Sequence, residues 1–405
     1  GGALSAANVV PNGPGGTFIP PLNPLNPPTP ESASLIVRKN AAGQWLDDNT
    51  GNWTNMVSGS AAGKARMVGW DMPDGDVAVI NASTNAVTDY QTRLGNILMA
   101  MTVTPSGEVT VVGTDATNQI RFEPNLNGKF LRVNLSRFTT VGGANTITDM
   151  NPQINYANSS LPANLRTQAI GDPRGIAWTA DGTKAYITGM GSNNVIVLNA
   201  NGTRFQPDPI RVGEGPTGIV LNTANTRAYV LNKFEGTIST VDLATNKEIG
   251  RANFFDPTPM VIKAGRKHLY DTHTGSGNGH ISCASCHVDG RWDRLAWDLG
   301  NPAGDMELVD GKNFHPMKGV KVTQMLIDII SSPSSLRGRG NLHWRGDKHE
   351  FLNFDHAFQN LQGNTGPKPA NEMIEFGDFL AEMWYVPNPY RTFYPENSAT
   401  SHNEH

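Results

Sequence analysis

The sequence predicts a multidomain chain, with an all-β propeller of short repeated strands followed by a mainly α-helical region. Three observations predict it. Near-copies recur at a fixed offset before residue 260. All ten histidines fall between His268 and His405. The chain has two cysteines, Cys283 and Cys286, three positions apart within the histidine-bearing part.

The repeat is read directly. Pro173-Arg174-Gly175-Ile176-Ala177-Trp178 returns 43 residues later as Pro216-Thr217-Gly218-Ile219-Val220-Leu221. Ala185-Tyr186-Ile187-Thr188 and Ala228-Tyr229-Val230-Leu231 keep that offset. An earlier copy runs from Thr102 to Val112, aligning Gly107 with Gly182, and a fragment of another is Asp76 to Asn81. Each unit reads as strands separated by polar turns. A period of about 40–45 residues with about four short strands marks a propeller blade. One blade cannot bury both faces, so blades must stack. Four blades and a fifth are expected between residues 35 and 260, with an insertion over 113–170.

Composition sets the outer limits. Of 405 residues, 38% are hydrophobic and 17% charged, as in a folded chain. The net charge of −4 offers no basic surplus for a phosphate backbone, so nucleic acid is not an expected partner. No run of about 18 apolar residues marks a transmembrane helix. The 43 Gly and 27 Pro favour tight turns. The start Gly1-Gly2-Ala3 suggests a processed or trimmed chain. Residues 1–34, rich in Gly, Pro and Asn, read as an arm or linker, either mobile or docked on a neighbouring domain.

Past Pro259 the pattern changes. Val320 to Ile330 is a possible helix. Phe351, Phe354, Phe358 and Leu361 share one helical face, as do Met373, Ile374, Phe376, Phe379, Leu380 and Met383. This second domain spans 261–391, and 392–405 is a polar tail.

Cys283-Ala284-Ser285-Cys286-His287 carries the chemistry. In C-x-x-C-H the two thiols each form a thioether to a haem vinyl group, and the histidine stands under the iron as proximal ligand. A structural zinc site needs a second ligand pair, and no other Cys exists. A thioredoxin-like dithiol needs a strand before it, and here Gly275 to Gly279 forms a loop. One covalent haem c is therefore expected, in an exported protein of the periplasm or cell surface. Candidate sixth ligands are His315, with Met317 as its alternative, then Met325, His343 and His280. Asp289, Asp293 and Asp298 are either solvated carboxylates or support for a Ca2+ ion. Trp292, Trp297 and Trp344 read as haem-pocket packing.

Two stretches are similar to known families. Tyr229-Val230-Leu231-Asn232 resembles the YVTN-type propeller repeat, over about 66–255. Gly265 to Asp271, Gly277 to His287 and Asp289-Gly290-Arg291 resemble the first haem domain of bacterial di-haem cytochrome c peroxidases and MauG-like proteins, over about 261–391. In that resemblance His315 to Gly319 matches the stretch that supplies a distal His. Leu342-His343-Trp344-Arg345-Gly346-Asp347 matches a Trp-Asp-Gly-Arg turn in altered order. The combination is similar to YVTN-propeller and cytochrome c fusion proteins. A second C-x-x-C-H, as the peroxidases carry, is absent from this sequence. The resemblance thus implies an electron-transfer cytochrome acting on a redox protein partner, with the propeller as docking or scaffold domain. Two alternatives stand beside it. One is a peroxidase- or MauG-like oxidoreductase, and the other a surface protein that joins larger complexes through its propeller.

Overall fold

The computed structural model describes residues 18, 20–29, 36–48, 50–57, 72–117, 119–333, 335–338 and 340–386. The polar tail 392–405 and residues 1–17, 19 and 30–34 of the arm lie outside the described residues. Two hairpins come first: β1 (Val37–Lys39) with β2 (Trp45–Asp47), then β3 (Val77–Asn81) with β4 (Ala86–Gln91).

Three four-stranded antiparallel sheets follow. The first is β5 (Ile97–Val103), β6 (Val109–Ala116), β7 (Leu131–Phe138) and β8 (Thr146–Asp149). The second is β9 (Pro173–Trp178), β10 (Lys184–Gly189), β11 (Asn194–Asn199) and β12 (Ile210–Arg211). The third is β13 (Pro216–Leu221), β14 (Arg227–Asn232), β15 (Thr237–Asp242) and β16 (Lys247–Asn253). Strands sit in chain order within each sheet, and β9 packs against both β5 and β13. The first strands therefore line the inside of a propeller-like stack. The turn after the first strand needs a left-handed residue, supplied by Gly107 (φ 88°), Gly182 (φ 67°) and Asn225 (φ 51°) in turn.

Alternation along each strand feeds two cores. Val112, Val133 and Leu135 of the first blade meet Ile176, Ala185, Ile187, Ile196 and Leu198 of the second. Tyr186, Val195 and Val197, on the opposite face of the second blade, meet Ala228, Val230 and Val241 of the third. Tyr186 donates its hydroxyl hydrogen to Asn246 Oδ1 at 3.1 Å across that junction.

The blade count differs from the expectation of four or five. Among the described residues there are three complete blades and the two-stranded β3–β4 ribbon, and the sheets do not form a closed ring. Residues 113–170 are not a plain insertion either. They supply β7 and β8, which complete the first blade, between two excursions toward the second region, over 117–130 and 150–170. The third blade ends the stack with an uncovered face. Tyr229 and Ile238 are 41% and 39% exposed, whereas Tyr186 and Val195, at the same blade positions, are fully buried.

The second region is less helical than expected. Two helices, Met260–Tyr270 and Ala370–Ala381, cross where Gly265 leaves no room. A Cβ there would lie 2.3 Å from Cβ of Phe379 and 2.5 Å from the Glu375 carbonyl. The Phe351–Phe354 and Ala357–Asn360 segments are single helical turns. Val320 to Ile330 is not a helix. Lys321–Val322 pairs with Ala296–Trp297, and Leu326 N–H donates to the Gly290 carbonyl at 2.8 Å. Those partners lie far along the chain, and they outweigh local helical preference. The rest is irregular chain around a cavity. The described part of the arm is docked: Asn23 N–H donates to the Pro302 carbonyl at 2.9 Å, and the Asn26 amide reaches the Gly304 carbonyl at 2.8 Å. No described helix is long and apolar enough to cross a membrane.

The blade positions make a paired prediction. A Cβ on Gly175 would sit 2.4 Å from the Thr217 carbonyl of the next blade, whereas one on Gly218 meets nothing closer than Leu231 Cβ at 3.8 Å. Gly175→Ala should cost roughly 1–3 kcal/mol of overpacking in urea unfolding. Gly218→Ala should cost much less, and equal losses would contradict the stacking described.

Candidate functional site

The Cys-x-x-Cys-His turn is shaped by short-range hydrogen bonds. Residues Cys283–Ser285 form one 3-10 turn. The amides of Cys286 and His287 both donate to the Cys283 carbonyl, at 3.2 and 2.9 Å. Ser285 Oγ accepts from the Ser282 amide at 3.0 Å. The result is that Cys283, Cys286 and His287 all line one cavity of about 480 Å3. That is within the range of small-molecule and cofactor sites, roughly 300–1,000 Å3.

The walls are mainly apolar, including Phe130, Trp297, Leu326, Met373 and Phe376. Lys318, Lys321, Arg345 and Lys348 also line the cavity, so its polar part is rich in cations. Burial pushes the Cys283 thiol up to about 11, and the Cys286 thiol well above its ordinary value. A reactive redox dithiol needs the opposite, a depressed thiol in electropositive surroundings. Gln362 donates an amide hydrogen to Cys283 Sγ at 3.4 Å.

His287 is neutral at ordinary pH. Burial pushes its pKa down to about 4, against a hydrogen bond to the Gln324 carbonyl. His287 Nδ1 lies 2.7 Å from that carbonyl oxygen, so Nδ1–H donates to it and the lone pair is left on Nε2. An imidazole anchored this way is presented as a metal ligand.

The other expected site residues separate. Trp344 lines the cavity and is 57% exposed, with its indole N–H on the Val322 carbonyl at 2.8 Å. It belongs to the rim rather than to packing inside. His315 and Met317 do not line the cavity. Both ring nitrogens of His315 are occupied: Nε2 bonds the Pro27 carbonyl at 2.9 Å, and Nδ1 accepts from the Met317 amide at 2.9 Å. Met317 is buried against Gly300 instead. The docked arm thus captures the histidine expected as the distal ligand. His280 is also elsewhere, fully buried with Nε2 3.0 Å from the Leu131 carbonyl of the first blade. His343 and Met325 do line the cavity.

The three carboxylates weighed for Ca2+ do not share a site. Asp289 pairs with Arg174, Asp293 accepts from the Trp297 indole at 2.9 Å, and Asp298 is buried with Arg121 among the charges acting on it. Among the described residues no cluster of three or more His, Cys, Asp or Glu gathers in metal-binding geometry.

Sequence reasoning missed the Gln324 carbonyl, which as a backbone group leaves no signal in the side-chain pattern. It also passed over Asp347. The i, i+4 pair His343 and Asp347 was a readable signal, since Nδ1 of His343 lies 2.8 Å from the buried carboxylate.

No protein-family profile matches the chain. No curated protein matches it either. Solved structures align with part of the chain. Hydrazine synthase of Kuenenia stuttgartiensis is 18% identical over 41% of this chain and 51% of that one, with a TM-score of 0.34. Virginiamycin B lyase of Staphylococcus aureus is 19% identical over 45% and 49%, with a TM-score of 0.28. The chain therefore spans about half the length of these structures.

His280 gives the fold an acid limit. Burial holds its pKa down at about 4, with Nε2–H committed to the Leu131 carbonyl. The unfolded chain takes up this proton near pH 6.5, the folded chain not until about pH 4. The sign follows: stability is full above pH 6.5 and falls as pH drops toward 4, by up to about 3 kcal/mol from this group. His280→Gln should flatten that slope in denaturant titrations across the window.

Proposed function

We propose that this chain is an exported c-type cytochrome that passes electrons through one haem held by Cys283, Cys286 and His287. One observation carries the reading: both thiols and the anchored imidazole line the same apolar cavity. The donor set fits the group. The two sulfurs would hold a porphyrin edge, and His287 presents a neutral Nε2. The apolar walls suit the macrocycle, and the lysine and arginine lining suits its carboxylates. When bound, haem supplies a one-electron couple whose potential depends on axial ligands and surrounding polarity.

The residues of the chain do the rest. The Gln324 carbonyl fixes the plane and tautomer of His287. Phe130, Leu326 and Phe376 exclude water, which keeps local polarity low. Trp344, at the exposed rim, is our candidate for contact with a redox protein partner. The propeller serves as docking or scaffold domain in this reading, and the uncovered apolar face of the third blade supports a role in larger complexes. Thioether attachment takes place outside the bacterial cytoplasm, hence the proposed periplasmic or cell-surface location. A peroxidase-like activity is the second reading, and it requires a coordination position that opens to peroxide.

The test is covalent attachment. Expressed with the c-type maturation apparatus, the protein should gain the mass of one haem on its denatured chain. Replacing Cys283 and Cys286 together with Ala should abolish that gain, and either single change should leave only one thioether. A native chain that carries no haem mass and no visible absorbance would refute the reading.

A further inference from the structure

His343 is held in this structure as His287 is held. Its Nδ1 lies 2.8 Å from Oδ1 of Asp347, a carboxylate only 1% exposed. The second oxygen of Asp347 accepts from the Arg345 guanidinium, so the carboxylate cannot swing away. The ring also packs edge-on against Phe354, with centroids 4.7 Å apart at 87°. The backbone at His343 takes φ 68°, a left-handed conformation that a residue with a side chain rarely adopts. A bridge between Leu342 and Lys348 closes this loop and holds that conformation. A carboxylate on Nδ1 fixes the tautomer and leaves the Nε2 lone pair for another partner.

The cavity offers few rivals. The described His and Met residues lining it are His287, His343, His356, Met325 and Met373. His356 is engaged with Asp355 at 2.7 Å, and its side chain is 64% exposed. Met325 lies between Gln324, whose carbonyl holds His287, and Leu326, which bonds Gly290, so it runs beside the proximal turn. Met373 is fully buried in an apolar cluster that also includes Ala284, Leu342 and Phe376. His343 comes from a separate loop.

We propose that His343 is the second axial ligand of the haem iron, with Asp347 as the positioning residue that orients it and strengthens its Nε2 donor. The proposal rests on the haem reading above and adds to it a six-coordinate, bis-imidazole site of low potential. His315 and Met317 are thereby relieved of that role.

The test reads spectra and potential rather than activity. Haem-loaded native protein should give a low-spin ferric EPR signal. His343→Ala should convert it to high spin, and added imidazole should restore low spin. His343→Met should raise the reduction potential and bring in a near-infrared sulfur-to-iron band. His315→Ala and Met317→Leu should leave the spectrum unchanged. Low-spin haem that survives His343→Ala without imidazole would overturn the proposal. If His343→Ala fails to load haem, Asp347→Asn decides: the weaker acceptor should raise the potential, and an unmoved potential and EPR signal would overturn the proposal. Covalent haem mass is measured on each variant, so loss of the haem reading is seen separately from loss of this ligand.

Discussion

The candidate site depends on how the propeller grips the chain just before the thiols. Residues 272–280 lie in a narrow space between blade loops and the 360–363 turn. Thr272 N–H donates to the Gly191 carbonyl at 2.8 Å, and Gly277 N–H to the Gln362 carbonyl at 3.0 Å. His273 reaches the Ala169 carbonyl at 3.0 Å, and His280 the Leu131 carbonyl at 3.0 Å. Gly277 is there because nothing larger fits: a Cβ would lie 2.1 Å from the Gly363 carbonyl and 2.4 Å from that of Ser159. A glycine-rich stretch that suggests a loose loop is in fact a clamp. Because the clamp ends three residues before Cys283, the propeller and the Cys-x-x-Cys-His turn form one mechanical unit.

That arrangement has a cost in polar burial, and the chain meets it by keeping the buried histidines neutral. His280 and His287 each give one nitrogen to a backbone carbonyl, and burial pushes both toward a pKa of about 4. Neutral imidazoles avoid the several kcal/mol that a buried unpaired cation would cost. The same burial raises both thiols, which suits sulfurs that end in thioethers and not sulfurs that exchange electrons as a dithiol.

Much of the fold was legible in the sequence, and the reasons are local. The 43-residue offset predicted β9 and β13 and their turns, since strand alternation and left-handed turn residues are written in neighbouring positions. The Ala370–Ala381 helix was legible from its apolar stripe. What failed was non-local. The length of 113–170 concealed β7 and β8, whose partners are defined only by pairing. Val320 to Ile330 has a helical pattern but finds long-range partners at Leu295 and Gly290. The Cys283-Ala284-Ser285-Cys286-His287 motif is contiguous, so its residues are visible in the sequence itself. The opposite side of the cavity is assembled from distant loops. There the sequence pointed to His315, and the docking of the arm on it could not be read from composition.

The most direct test of the central claim is an optical and EPR spectrum of the purified protein, oxidised and reduced, with and without peroxide. A low-spin six-coordinate c-type haem that peroxide leaves unchanged is the predicted result. A high-spin haem that peroxide converts to a ferryl species would contradict the electron-transfer account, and absence of any haem spectrum would contradict the reading of the cavity itself.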